Sequence, residues 1–325
     1  MISLNRDFKT SLPLLIAIAI TVGAAIFQYI TVLHNITYEH PYSDVLHYID
    51  LVTQQQFFGP THFSWRIVFT GFITALFFLL PFSVPVLWMT ANVLLFSAIL
   101  FITSRKAQHL NHARRTLLTG ILAIIMLHPA FWRGAFLPML EMPLFFTIWL
   151  MLIVYKEFPV HLVLFAVLIF ISLWLKEVFI LAWLFGIILH KRDLLSRKVW
   201  VSWHLPFLLS GALYALILFV FSTSAGDAQN NYLLQPERWL SDWASIFSAH
   251  HPLTILKSFI ASTGLLWLAL PFIKRFYHVR TFNLWVRIAL VISLIWVILS
   301  LFTVTNAPRL IWPFYTVLLS VIPQK

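Results

Sequence analysis

Ten stretches of nearly uninterrupted apolar residues divide this chain, at about 11–33, 84–103, 116–131, 138–155, 159–175, 177–190, 200–222, 254–273, 287–304 and 308–322. A run that crosses roughly 30 Å of hydrocarbon has no water to satisfy its backbone, so it must be a helix or part of a closed barrel. Nothing here alternates with a period of two, so helices are expected. Composition agrees: 61% of the 325 residues are hydrophobic and 10% are charged, against about half and a quarter in a soluble domain. The expected fold class is an all-α polytopic membrane protein, one transmembrane domain over residues 1–325. The first run is too long for a signal-peptide core and has no small-residue cleavage site after it, so it reads as a retained helix.

Several functions drop out at once. Cysteine is absent, which excludes disulfides, thiolate metal sites and cysteine nucleophiles. No GxxxxGKS/T, no GxGxxG after a strand and no HExxH occurs, and no soluble domain exists to carry a nucleotide site. The net charge of +11 does not point to nucleic acid, because the basic residues sit in short clusters between apolar runs, as topology signals do.

One further run, Trp65 to Leu80, decides the topology. With the N-terminus inside and this run lying on the surface, the clusters 105–115, 191–198 and 274–287 all fall on the cytoplasmic side. Of the 22 Lys and Arg residues, only Arg66, Arg133, Lys176, Arg238, Lys257 and Arg309 are then external, and of the 11 acids only Asp7, Glu157 and Asp193 are internal. A crossing at 65–80 would reverse every later cluster against the positive-inside rule. Ten spans with both termini cytoplasmic are therefore expected, with a first external loop at 34–83 that holds interfacial helices and a second at 223–253.

Ionisable groups that interrupt apolar runs are the candidates for chemistry. In "HPYSDVLHYIDLV" (40–52) helical spacing sets Val45, Ile49 and Val52 on one stripe and Asp44, His47 and Tyr48 on the adjacent face, with Asp50 turned elsewhere. A carboxylate such as Asp44 serves as a general base when a hydroxyl is held against it. Glu141, in "FLPMLEMPLFF", is either a first-turn acid favoured by the helix dipole or a site group. Lys176, in "SLWLKEVFIL", either pairs with Glu177 in a turn or faces a lipid-linked anion. Arg66 and Arg309 are either interfacial anchors or bidentate phosphate ligands. The histidines lack metal-ligand spacing.

Taken in order, "SDVLHY" (Asp44, Tyr48), "FSWRIVFTGFITALFFLLP" (Arg66), "LLFSAILFITSRK", "LEMPLFFTIWLMLIVYKE" (Glu141), "LWLKEVFILAWLFGIILHKR" (Lys176) and "PRLIWPFY" (Arg309, Pro313) resemble the GT-C superfamily of integral membrane glycosyltransferases. The resemblance implies a GT-C-like fold and a hexosyl- or pentosyltransferase at the external face of the plasma (inner) membrane. It would move sugar from a polyprenyl-phosphate donor to an acceptor hydroxyl with inversion. Asp44 would be the base, and Lys176, Arg309 and Arg66 would stabilise the departing phosphate. Glu141, Tyr48 and His47 would bind substrate. The expected partners are the lipid-linked donor, a glycan, lipid or protein acceptor and membrane lipids, and no nucleic acid. The first loop lacks the twin acids of the metal-using branch, so neither a divalent metal nor another cofactor is expected. The alternatives are a transporter or flippase for a lipid-linked or polar solute, and a surface-polysaccharide polymerase or ligase.

Overall fold

A computed structural model of the protein describes residues 2–37, 44–57, 66–108, 112–157, 162–183 and 193–224. Within them every regular element is helical and none is a strand. The expected loop 223–253, the spans 254–273, 287–304 and 308–322, and Arg309 lie outside the described residues or almost wholly so.

Helix α1 (Ile2–Thr31) ends where side chains take over its last carbonyls: Thr31 Oγ1 donates to Phe27 O at 2.6 Å and Asn35 Nδ2 to Thr31 O at 2.7 Å. After a 3-10 turn, Leu33–Asn35, α2 (Asp44–Gln54) buries Val45, Tyr48, Leu51 and Val52. That is a helical stripe, rotated from the expected one so that Tyr48 points inward and Ile49 is only half-buried. The helix stops at Gln55, whose φ of 53° is left-handed.

Helix α3 (Ile67–Leu79) is 13 residues long, or about 20 Å at 1.5 Å per residue, short of a bilayer core. Arg66 caps it, and Thr70 and Thr74 turn their hydroxyls back to Arg66 O and Thr70 O, so both polar groups are absorbed inside the turn before them. Helix α4 (Val84–Ala107) opens with Pro85 in its first turn, where a missing N–H costs nothing, and closes with Arg105 and Lys106 in its last, where cations favour the dipole.

Helix α5 (His112–Leu127) stops at a bend on His128, and a short α6 (Pro129–Arg133) follows. An irregular stretch leads to α7 (Glu141–Glu157). The helices are thus displaced from the expected runs 116–131 and 138–155, one ending at Leu127 and the next starting at Glu141, because Pro129, Gly134 and Pro138 break the ladder between them. Helix α8 (Leu162–Leu175) gives way to a 3-10 turn, Glu177–Ala182, where the expected span 177–190 was to begin as α-helix. A helical turn (Arg197–Val199), capped by Ser196 Oγ accepting from Val199 N, and a π-helical turn (Trp200–His204) lead into α9 (Leu205–Ser224).

Among the described residues, three helical stretches are long and apolar enough to cross a membrane: Pro13–Asn35, Val84–Ala107 and Arg197–Val220. Helices α3, α7 and α8 are apolar but shorter. Outward faces carry large apolar side chains, such as Ile30 on α1, Leu94 on α4, Val163 on α8 and Phe219 on α9, all more than 60% exposed. Exposed apolar surface on this scale fits a lipid solvent, not water.

Two apolar clusters hold the helices together. One joins α2, α3, the start of α4, α7, α8 and α9 around Trp88, Trp203 and Phe207. The other joins α1, α4, α5, α6 and α7 around Phe96, Phe131, Phe136 and Trp149. A small third group, Ile36, Val45, Leu137 and Met139, ties α2 to the stretch before α7.

Candidate functional site

Four helix ends meet around one tyrosine: the start of α2, the start of α3, the start of α7 and the end of α8. Tyr48, one turn after Asp44, is 1% exposed, and its ring packs on Trp88 at a centroid distance of 5.4 Å. Trp88 in turn meets Phe69 edge-on at 5.4 Å. Arg66, the residue before α3, is almost wholly buried and donates from Nη1 to the Tyr48 hydroxyl at 2.6 Å. Glu141 begins α7 and is 6% exposed, and Lys176 follows the last residue of α8 and is 13% exposed. Lys176 Nζ donates to Glu141 Oε1 at 3.1 Å. Lys176 therefore takes an ion-pair partner 35 residues away.

The backbone explains why these groups arrive there. Lys176 N–H closes the last turn of α8 on Ser172 O at 3.1 Å, and its carbonyl accepts from Phe179 N at 2.9 Å to start the 3-10 turn, so the residue is fixed from both sides. Leu140 caps α7 by accepting from Leu144 N at 2.9 Å. Trp88 Nε1 holds Met139 O at 3.1 Å. Glu141 follows two residues later, in the first helical turn, where the positive end of the dipole favours a carboxylate.

Electrostatically the cluster is one unit. Burial raises the Tyr48 phenol pKa above its ordinary 10; the Arg66 charge and hydrogen bond oppose the rise, and the Glu141 and Asp44 carboxylates add to it. Arg66, Glu141 and Asp44 thus all act on the same oxygen. Lys176 joins this group through Glu141, and opposite charges within it offset the cost of burying each ion.

A pH dependence follows. Because the folded state holds the neutral phenol beyond pH 10, that stabilisation is complete below about pH 10 and is lost as pH rises above it. Tyr48→Phe is expected to cost about 1–3 kcal/mol near neutrality by removing the acceptor at Arg66. It should also flatten the alkaline fall of the melting temperature, measured by tryptophan fluorescence in detergent; equal alkaline slopes in both proteins would contradict this assignment.

Of the residues singled out from sequence, Asp44, Tyr48, Arg66, Glu141 and Lys176 come together. His47 is exposed, one position before the buried Tyr48. Asp50 is half-buried and is not among the charges acting on the phenol. Arg309 lies outside the described residues. Among the described residues no three His, Asp or Glu side chains converge as a metal site.

Sequence reasoning did not single out Trp88, Gln28 or Asn92, although an amide inside an apolar run is itself a signal. Nor did it find the apolar cavity of about 560 Å³ between α3 and α4, lined by Phe69, Phe72, Leu76, Leu80, Leu87 and Ala91 among others. Phe69 lies one turn of α3 beyond Arg66, so one end of the cavity adjoins the charged cluster.

Fold and site together define a helical protein with membrane-length apolar helices and a buried cluster of paired charges at helix ends. No protein-family model matches the sequence, no curated protein matches it, and no solved structure matches its fold.

Proposed function

We propose that the chain is an integral membrane glycosyltransferase of GT-C type that moves a sugar from a polyprenyl-phosphate donor to an acceptor hydroxyl. One observation carries this reading: Asp44, Tyr48, Arg66, Glu141 and Lys176, contributed by four separate elements, meet in one charged cluster. A phosphate-linked sugar needs a base for the incoming hydroxyl, cations for the leaving group and an apolar path for the tail, and the cluster with its adjoining cavity offers all three.

In the reaction, the acceptor oxygen attacks the anomeric carbon from the face opposite the phosphate and the configuration inverts. The C–O bond to phosphate breaks with its electron pair on the phosphate oxygen, and the hydroxyl proton passes to Asp44. Lys176 and Arg66, joined by Arg309, offset the charge that develops on the leaving phosphate. Glu141 holds Lys176 in place and orients the sugar, and the Tyr48 hydroxyl keeps the Arg66 fork aimed. The lipid tail lies along α3 in the cavity that starts at Phe69. Ten spans, cytoplasmic termini and an external site in the plasma (inner) membrane complete the proposal; the start of α4, the start of α7 and the end of α8 belong on that one side in this topology.

The test is a donor panel. Purified protein is incubated with polyprenyl-phosphate hexoses and pentoses, the matching diphosphates and nucleotide sugars, with lipid and glycan acceptors. Transfer from lipid monophosphate donors alone is expected. Transfer only from nucleotide sugars would sink the reading. So would absence of transfer together with passage of a labelled lipid-linked sugar across vesicles, which would make the chain a transporter or flippase.

A further inference from the structure

Between Arg133 and Glu141 the chain leaves regular helix inside the apolar interior. Residues 134–140 are buried throughout, so their backbone groups need partners that neither a helix nor water supplies. Amide side chains on two of the membrane-length helices provide them. Gln28 of α1, fully buried, donates Nε2 to Phe131 O at 2.6 Å and accepts Phe136 N–H on Oε1 at 2.9 Å. Asn92 of α4, also fully buried, donates Nδ2 to Phe136 O at 3.3 Å and Leu137 O at 2.9 Å. The Phe131 and Phe136 rings meet edge-on at 5.1 Å and both pack on Phe96. Immediately afterwards Leu137 and Met139 pack with Val45, the neighbour of Asp44, and Glu141 follows.

Asn92 holds its two carbonyls at a cost, since its own Oδ1 has no hydrogen-bond partner among the described residues. An apolar side chain of similar volume would fill the same space without that cost but would take the amide donor from Phe136 O and leave Leu137 O with the Met139 N–H. The donors, not the bulk, are what the site needs.

We infer that Gln28 and Asn92 are positioning residues: by fixing the backbone at 131–137 they set where the Glu141 carboxylate stands against Lys176 and where Val45 seats the Asp44 end of α2. A shift of this strut moves both carboxylates of the cluster together. The activity part of the inference rests on the proposed transfer reaction, whereas the geometric part does not.

The experiment has two arms. In the first, melting temperatures are compared for Asn92→Leu, Gln28→Leu and Glu141→Gln alone and combined. If the amides place Glu141, the loss caused by Glu141→Gln shrinks by about half or more in either amide variant, because contacts in one network do not add. Equal losses in both backgrounds would overturn the inference. In the second arm, turnover per folded molecule in the transfer assay falls about 100-fold in Asn92→Leu, as for a misplaced reacting group. The KM for lipid donor stays within about twofold. Lower stability with full turnover per folded molecule would make the amides purely structural and overturn the claim. If the wild type transfers no sugar, the function reading fails and the thermal arm alone decides. If neither leucine variant folds, Asn92→Ala and Gln28→Ala carry the same comparisons, since they remove the same amides and leave room for water at the freed carbonyls.

Discussion

Lys176→Met lowers stability by about 3–5 kcal/mol, the range for removing one partner of a buried ion pair. The variant leaves the Glu141 carboxylate at 6% exposure without the ammonium that stands 3.1 Å away. The reverse change costs less. In Glu141→Gln the remaining lysine is 13% exposed, and its long stem lets the charge move towards a polar boundary. The double variant Lys176→Met with Glu141→Gln recovers much of the loss of Lys176→Met, because no ion is then stranded. Unfolding in detergent, followed by far-UV circular dichroism across the four proteins, gives the cycle. Additive losses would show that the pair contributes no coupling, and a larger loss for Glu141→Gln would reverse the assignment of the more deeply desolvated partner.

How much of this could be read from sequence depends on what kind of residue carried it. Asp44, Arg66, Glu141 and Lys176 are conspicuous because each interrupts an apolar stretch, where an ion is expensive unless partnered. The structure gathers all four. Helical spacing correctly set Asp44 beside Tyr48, but it also put His47 on that face. Successive helix residues are about 100° apart, so the burial of Tyr48 against Trp88 and Arg66 decides the rotation and sends His47 outward. Periodicity alone cannot choose between two stripes that close. The partner of Lys176 was equally hidden. Glu177 and Glu141 are both chemically adequate, and only the packing of α7 on α8 brings Glu141 within reach.

The strut before α7 escaped for a different reason. Gln28 and Asn92 are neutral amides, which apolar runs tolerate, and their partners are backbone groups that become exposed only where a helix breaks. Pro129, Gly134 and Pro138 mark the break in the sequence, yet nothing in the spacing says which distant side chains repair it. The helices that answer to the runs 116–131 and 138–155 are also displaced, to His112–Leu127 and Glu141–Glu157, because hydropathy counts residues and not backbone geometry. Between the helices the chain bends at His128 and turns at 134–140 and 177–182.

Asp44→Asn abolishes sugar transfer to the extent of about 10²–10⁴-fold in kcat/KM, the usual worth of a positioned general base. Asparagine has the same shape, so Val45 and Tyr48 keep their packing. Turnover is taken per folded molecule, so any stability lost with the carboxylate at the start of α2 is separated from the kinetic effect. Donor affinity should hold, because Arg66 keeps its hydrogen bond to the Tyr48 hydroxyl and Lys176 its ion pair with Glu141 in this variant. The KM for lipid donor should therefore move little while kcat collapses. Asp50→Asn is the matched control: the same chemical change, six residues along the same helix, to a carboxylate outside the charges that act on Tyr48. It should stay within about twofold of wild type. If Asp44→Asn retains full turnover while Glu141→Gln loses it, the base is Glu141, and the Lys176 pair would have to open before the hydroxyl could be deprotonated. If both carboxyl variants turn over normally, the cluster is not where the acceptor is activated, and the transfer reaction cannot be assigned to this site.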